Sequence, residues 1–303
     1  MKSFLLLRNI FPDNTKINFM RVKYITLISS LILVIATFAG LYFKSLNFGI
    51  DFTGGLLFEV RMPEAPDLVR IRNNLNNLAL GEITIQNLGE SNDILIRAAV
   101  KDETKQQYYI DAIKETLLSK TSANVEFRKI EFVGAEVGSE MIYKGIIAIV
   151  MTFVGIIIYV WFRFNWQYSV GIVVGLMHDV ILTVGFLVIT RYEFNVTSVA
   201  AILTILGYSV NDTVVIYDRV REKMRTTIRT DITSILNDSI NETLSRTLLT
   251  VLTTLLAAAV LIFFGGEALK SFSITVFIGI VVGTYSSIFT SIPVLQLFKW
   301  QRN

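Results

Sequence analysis

The sequence has no cysteine and a single histidine, His178, in 303 residues. The first absence excludes disulfides, thiolate nucleophiles and Cys-ligated metals together. The second excludes a histidine-rich metal site. Charge is scarce too: Asp, Glu, Lys and Arg make up 17% of the residues, and the net charge is only +3. So small an excess gives nucleic acid little to hold and argues against it as a partner. What fills the chain is apolar: 52% of residues are hydrophobic and the mean hydropathy is +0.56. That balance belongs to a membrane protein rather than a soluble enzyme.

Six segments are long and apolar enough to cross a hydrocarbon core of about 30 Å. They are residues 24–43, 141–162, 168–190, 195–217, 243–264 and 271–296, approximately. The first is too long for a signal-peptide core and reads as an uncleaved anchor. The last is long for one span and is expected to overhang the membrane or to bend. Basic residues give the orientation. Lys2, Arg8, Lys16, Arg21 and Lys23 precede the first span, and Arg163 lies between the second and third. Arg219, Arg221, Lys223, Arg225 and Arg229 follow the fourth, and Lys299 and Arg302 follow the sixth. The opposite short loops carry only Arg191 and Lys270. The tails 1–23 and 297–303 and the loop 218–242 are therefore expected in the cytoplasm, with residues 44–140 outside. Within that loop, residues 224–242 read as a short amphipathic helix with Ile232, Ile235, Leu236 and Ile240 on its apolar side.

Residues 55–133 form the one sizeable piece outside the membrane. Phe58, Val60 and Met62 alternate with Glu59 and Arg61, as in a half-buried strand. Leu68, Ile71, Leu75 and Leu78 follow helical spacing. Ile83/Ile85 and Ile94/Ile96 mark two strands joined by a turn over Gly89-Glu90-Ser91-Asn92-Asp93. Ile110, Ile113 and Leu117 mark a second helix, and Val125 and Phe127 a last strand. The order β-α-β-β-α-β predicts an inserted α+β, ferredoxin-like exterior domain. It carries no nucleophile–base constellation and reads as a structural or docking module. Just ahead of it, Gly49, Gly54 and Gly55 surround Asp51 where the chain leaves the membrane. Glycines permit positive φ and close backbone approach, so this stretch is a candidate hinge, with Asp51 able to bond within the turn.

The membrane segments hold ionisable groups, which cost several kcal/mol in hydrocarbon and mark function when they occur there. Asp212 sits in the fourth span and Arg246 in the fifth. At a rise of about 1.5 Å per residue both fall in the inner third, where they are able to meet. Thr197, Ala201, Thr204, Tyr208 and Asn211 form a polar stripe beside Asp212, and Thr243, Thr247, Thr250 and Thr254 form another beside Arg246. The threonines read first as helix packing. In the third span Gly171, Gly175, Asp179 and Thr183 share one face, with His178 adjacent. His178 and Asp179 fall near the midplane and are candidates either for packing or for a proton pathway. The string Gly-Ile-Val-Val-Gly at 171–175 recurs at 279–283, followed by Ser287 and Ser291, and reads as helix packing. Asp212 and Asp179 fall at different depths, which argues against an intramembrane acid pair and against an enzyme.

Phe48-GIDFTG-Gly55, Trp161-Phe-Arg163-Phe, His178-Asp179, Gly207-YSVNDTVVIYDRVR-Glu222 and Asn241-ETLSR-Thr247 together resemble the SecF family of the bacterial Sec translocase. The order of one span, exterior domain and five spans is similar as well. The resemblance implies a six-helix membrane protein of the inner membrane, one half of a resistance-nodulation-division type fold. It implies protons as coupling ion and no other cofactor, with Asp212 and Arg246 essential for proton movement coupled to export. SecD, the SecYEG translocon, YajC and the preprotein are the partners it implies. One departure is visible: the family often has Val-Gly-Pro where this chain reads Val133-Gly134-Ala135, which removes a rigid turn residue. The competing expectation is half of a proton-coupled transporter for small solutes or lipids. Two large exterior loops would favour it; this chain has one compact exterior domain.

Overall fold

The computed structural model describes residues 15–78, 83–87, 92–100, 103–120, 125–226 and 231–297. The chain divides into two compact units. One is Phe48–Ile146; the other is the flanking chain, up to Asn47 and from Ile147 onward.

In the second unit helix α1 covers Lys23–Lys44, preceded by a 3-10 turn at Phe19–Val22. The other long helices are α5 (Ala135–Arg163), whose residues up to Ile146 belong to the first unit, α6 (Trp166–Thr190), α7 (Val196–Thr226), α8 (Ile232–Phe264) and α9 (Gly266–Ser286). Helix α9 continues through a π-helical turn at Ser287–Ser291 and a short helical turn at Ile292–Val294. Among the described residues, six helices are long and apolar enough to cross a membrane, at the places the sequence predicts. The sixth changes helix type instead of running straight. Arg191 adopts a left-handed conformation that stops α6. Its guanidinium donates to the carbonyls of Lys44 and Ser45, and Asn195 Oδ1 caps α7 by accepting from the Ser198 N–H.

At the basic end the helices run further than the apolar pattern. Residues 224–242 are not a separate amphipathic helix: α7 continues to Thr226, and 232–242 are the first turns of α8. Neither proline nor glycine interrupts 232–264, so nothing stops the helix where the hydrocarbon ends. Ile235, Leu236 and Ile240 are buried against Phe164, Tyr168 and Tyr217 in the main core. The charge run after Tyr217 is paired rather than merely solvated. Asp218 meets Arg163 at 2.9 Å and Arg221 at 2.8 Å, Lys223 meets Glu242 at 2.7 Å, and Arg219 meets both Glu222 and Glu242. Such exposed pairs contribute about 0–1 kcal/mol each, so they fix the register of helix ends more than stability. Lys2, Arg8, Arg229, Lys299, Arg302 and the turn residues Gly89, Glu90 and Ser91 lie outside the described residues.

The first unit contains α2 (Ile50–Thr53), β1 (Gly55–Arg61), α3 (Leu68–Asn76), β2 (Ile83–Asn87), β3 (Asp93–Ala98), α4 (Gln106–Lys120) and β4 (Glu126–Val133). The four strands form one antiparallel sheet in the order β2-β3-β1-β4. Alternate residues Leu56, Phe58, Val60 and Ile94, Ile96 bury against Ile71, Leu75, Ile113 and Leu117 of the two helices. Asp67 starts α3 by accepting from the Val69 and Arg70 N–H groups.

Asp93 is not part of the turn that the sequence suggests. It opens β3 opposite Arg61 and is only 5% exposed. Arg61 donates to both its oxygens, at 2.7 and 2.9 Å, and Arg128 donates at 2.9 Å. The Arg61 hydrogen bonds and the charges of both arginines hold its carboxyl below the ordinary aspartate value of 3.8. A lowered native value means the interaction is complete above that ordinary value and is lost as pH falls through the native one. Acid is therefore expected to loosen β1 and β3 before the rest of the sheet. Asp93→Asn should cost about 1–3 kcal/mol at neutral pH and remove that acid step. Hydrogen exchange across 55–61 and 93–98 reads both effects; unchanged exchange in the variant would show that Asp93 holds nothing.

Candidate functional site

Asp212 lies on α7 where α8 and the end of α9 converge, and is 8% exposed. Thr247 Oγ1 on α8 donates to Asp212 Oδ1 at 2.7 Å, and Ser287 Oγ donates to Asp212 Oδ2 at 2.8 Å. Both donors are themselves buried. One carboxylate and two hydroxyls from three helical segments thus meet at a buried point. The threonine stripe on α8 divides by direction. Thr243, Thr250, Thr253 and Thr254 donate to carbonyls of their own helix. Thr247 turns its hydroxyl across the helix boundary to Asp212.

Arg246 is exposed. Among the described residues no ion pair joins it to Asp212; its charge acts on the carboxylate only through space. The sequence leaves open whether the two pair at rest; in this structure Thr247, not Arg246, meets the carboxylate. Consecutive helical residues point about 100° apart, so with Thr247 turned to Asp212 its neighbour Arg246 leaves the helix in another direction. Asn211 is exposed for the same reason, on the outer side of α7.

Asp179 on α6 is fully buried, and Ser209 Oγ on α7 donates to its Oδ2 at 2.5 Å. His178 Nδ1 lies 3.3 Å from Asp179 Oδ1, its ring stacks on Tyr285 at 6.0 Å, and its buried Nε2 has no hydrogen-bond partner among the described residues. Ser209 and Asp212 are one turn apart on α7, so Asp179 joins the Asp212 region through that helix and not by direct contact. The glycine strings are contact surfaces. A Cβ on Gly279 would lie 2.1 Å from Ile205, and one on Gly283 would lie 3.3 Å from Ser209.

In the first unit, Gly54 and Gly55 have φ of +70° and +117°. A Cβ on Gly55 would lie 2.5 Å from the Ala98 carbonyl oxygen, and one on Gly54 would lie 3.0 Å from Ala135 Cα. Gly49 is the N-cap of α2, and Asp51 lies in its first turn. This segment is a tight turn with Gly49, Ile50, Phe52, Gly54 and Gly55 buried. Ala135 occupies the first position of α5, where proline would also be accommodated.

Sequence reasoning missed Thr247 and Ser287 as partners of Asp212, although both stood in the stripes it identified. Periodicity shows that residues share a face, but not which neighbour that face meets.

Comparison with known proteins gives a consistent result. Residues 113–301 match the family described as protein export membrane protein SecD/SecF, C-terminal, and residues 41–62 match the SecD/SecF GG motif. A protein translocase subunit SecF from Rickettsia bellii is 48% identical over 289 residues, covering 95% of this chain and 95% of that one. One from Rickettsia akari is 47% identical, covering 95% and 94%. The crystal structure of SecDF, a translocon-associated membrane protein from Thermus thermophilus, matches with a TM-score of 0.85 and 31% identity. That match covers 94% of this chain and 39% of the SecDF chain, so this chain spans well under half of that protein's length.

Proposed function

The chain belongs to the SecD/SecF family of protein export membrane proteins, and from that premise we infer that it is an auxiliary, SecF-type subunit of the Sec machinery. It uses protons moving down their gradient through Asp212 to help complete preprotein translocation. SecD is its first partner: a SecDF chain contains a stretch similar to this one within a protein more than twice as long. The SecYEG translocon, YajC and the preprotein complete the assembly. The arginine-rich helix ends lie in the cytoplasm and the sheet unit outside, as the distribution of basic residues requires. No covalent chemistry is assigned to the chain; its work is movement.

The observation that carries the proton reading is the set of partners around Asp212. A buried carboxylate is held by two neutral hydroxyls and, among the described residues, is in no ion pair. Proton uptake there breaks no ion pair, so both charge states are available within one cycle. Arg246 pairs with Asp212 in another state of that cycle, and Asn211 lies beside the route. His178 and Asp179 form a further polar station on the exterior side. A membrane potential contributes about 2.3 kcal/mol per elementary charge per 100 mV, enough for a few protons to drive a conformational change. The Gly49–Gly55 turn, with Asp51, serves as a stiff connector at the base of the sheet unit.

The test is a comparison of inverted membrane vesicles with and without this subunit, each loaded with a preprotein arrested late in translocation. Vesicles containing it should complete release faster when a proton gradient is imposed. Equal release in both preparations would remove the chain from proton-driven export.

A further inference from the structure

Tyr217 follows Asp212 on α7 toward the basic end and is fully buried. Its hydroxyl donates to the Ser291 carbonyl oxygen at 2.8 Å and lies 2.9 Å from Ser291 Oγ. Ser291 Oγ in turn donates to the Gly171 carbonyl oxygen at 2.9 Å. One hydroxyl pair therefore ties α7, α6 and the π turn together.

The π turn makes this possible. Ser287 is its first residue and holds Asp212; Ser291 is its last and receives Tyr217. In an α-helix the Ser291 carbonyl would be taken by the N–H of residue 295. Here the Leu295 N–H turns to the carbonyls of Ile292 and Pro293, and the Ser291 oxygen accepts from the Tyr217 hydroxyl. Such π turns are common at functional sites. Around this lock the Tyr217 ring stands edge-on to Tyr168 at 5.6 Å and to Phe164 at 6.4 Å. Ile216, Val220 and Leu295 are buried in the same cluster. The result is a buried, packed plug between Asp212 and the end of the bundle that carries Arg163 and Arg221. It closes only because residue 171 has no side chain. A Cβ there would lie 2.3 Å from the Tyr217 hydroxyl oxygen and 3.2 Å from the Ser291 carbonyl.

We propose that Tyr217, Ser291 and Gly171 form the gate that closes the Asp212 site on its cytoplasmic side, released when the π turn leaves Asp212. This rests on the reading of Asp212 as the proton carrier. The gate holds in the structure described here, so Asp212 is shut off from the cytoplasm in this state.

The experiment measures proton flux, in the absence of preprotein, into vesicles carrying the complete complex. Tyr217→Phe keeps the ring and removes the lock. Gly171→Ala keeps Tyr217 and displaces its hydroxyl. Each is expected to raise proton leak several-fold, and each leak should vanish when Asp212→Asn is added. Because Tyr217→Phe removes the crowded oxygen, adding Gly171→Ala to it should give no further leak. A general packing defect would instead give additive leaks that ignore Asp212. Should Gly171→Ala fail to insert, Tyr217→Phe carries the test, since it deletes one atom. Vesicles that stay proton-tight with Tyr217→Phe overturn the gate and leave the Asp212 reading standing. A leak that survives Asp212→Asn overturns the gate's connection to that site.

Discussion

Asp212→Asn is expected to abolish the gradient-stimulated part of preprotein release while leaving membrane insertion and the complex intact. The substitution keeps size, shape and one of the two acceptor oxygens. Its amide oxygen is able to accept from Thr247 or Ser287, which hold the native carboxylate at 2.7 and 2.8 Å. What it removes is the ability to take up and release a proton. A purely structural role for Asp212 would predict partial loss of complex and of all release together. The proton reading predicts a stable complex whose residual release no longer responds to an imposed gradient. The two outcomes separate in one preparation, by comparing complex yield with release in the presence and absence of the gradient. Full gradient stimulation in the variant would contradict the role assigned to Asp212.

Gly55→Ala is expected to cost about 2–4 kcal/mol, from the strained φ and the collision together. The backbone there has φ +117°, and the added methyl would lie 2.5 Å from the Ala98 carbonyl oxygen. Ala98 pairs with Leu56 at the end of the β1–β3 ladder, so relief of the clash opens the two central strands from that end. Hydrogen exchange should rise along 55–61 and 93–98. Gly155→Ala is the control. A Cβ there meets nothing within 4 Å, and the site is inside α5. Alanine in a helix interior is favoured over glycine by roughly 0.5–1 kcal/mol, so that variant should be neutral or slightly stabilised. Equal behaviour of the two variants would show that the turn at Gly55 is not constrained as described.

The membrane spans were legible in the sequence because hydrocarbon imposes length and composition directly. The β-α-β-β-α-β order was legible because alternation and helical spacing survive in Phe58, Val60, Ile71 and Leu75, all of which are buried. Helix ends were less so: the charged residues after Tyr217 looked like a loop, yet nothing in them stops a helix. Asp93 was assigned to a turn on residue type. Arg61 and Arg128, distant in sequence, make it a buried strand residue.

The site was legible to the level of its central residue. Asp212 stood out because a carboxylate is rare in an apolar helix. Its partners did not, because spacing fixes which residues share a face but not the rotation of one helix against another. A shift of one position exchanges Arg246 for Thr247 and an ion pair for a neutral hydrogen bond. The π turn has no period of its own in the sequence, so the roles of Ser287 and Ser291 became visible only with the backbone in place.

The central claim is that Asp212 gains and loses a proton in step with export. Infrared difference spectroscopy of the complete complex in membranes, recorded as translocation is driven by an imposed proton gradient, tests it most directly. The account predicts a protonated-carboxyl carbonyl band that comes and goes with turnover and is missing in Asp212→Asn. Turnover without any Asp212-dependent carboxyl band would contradict it.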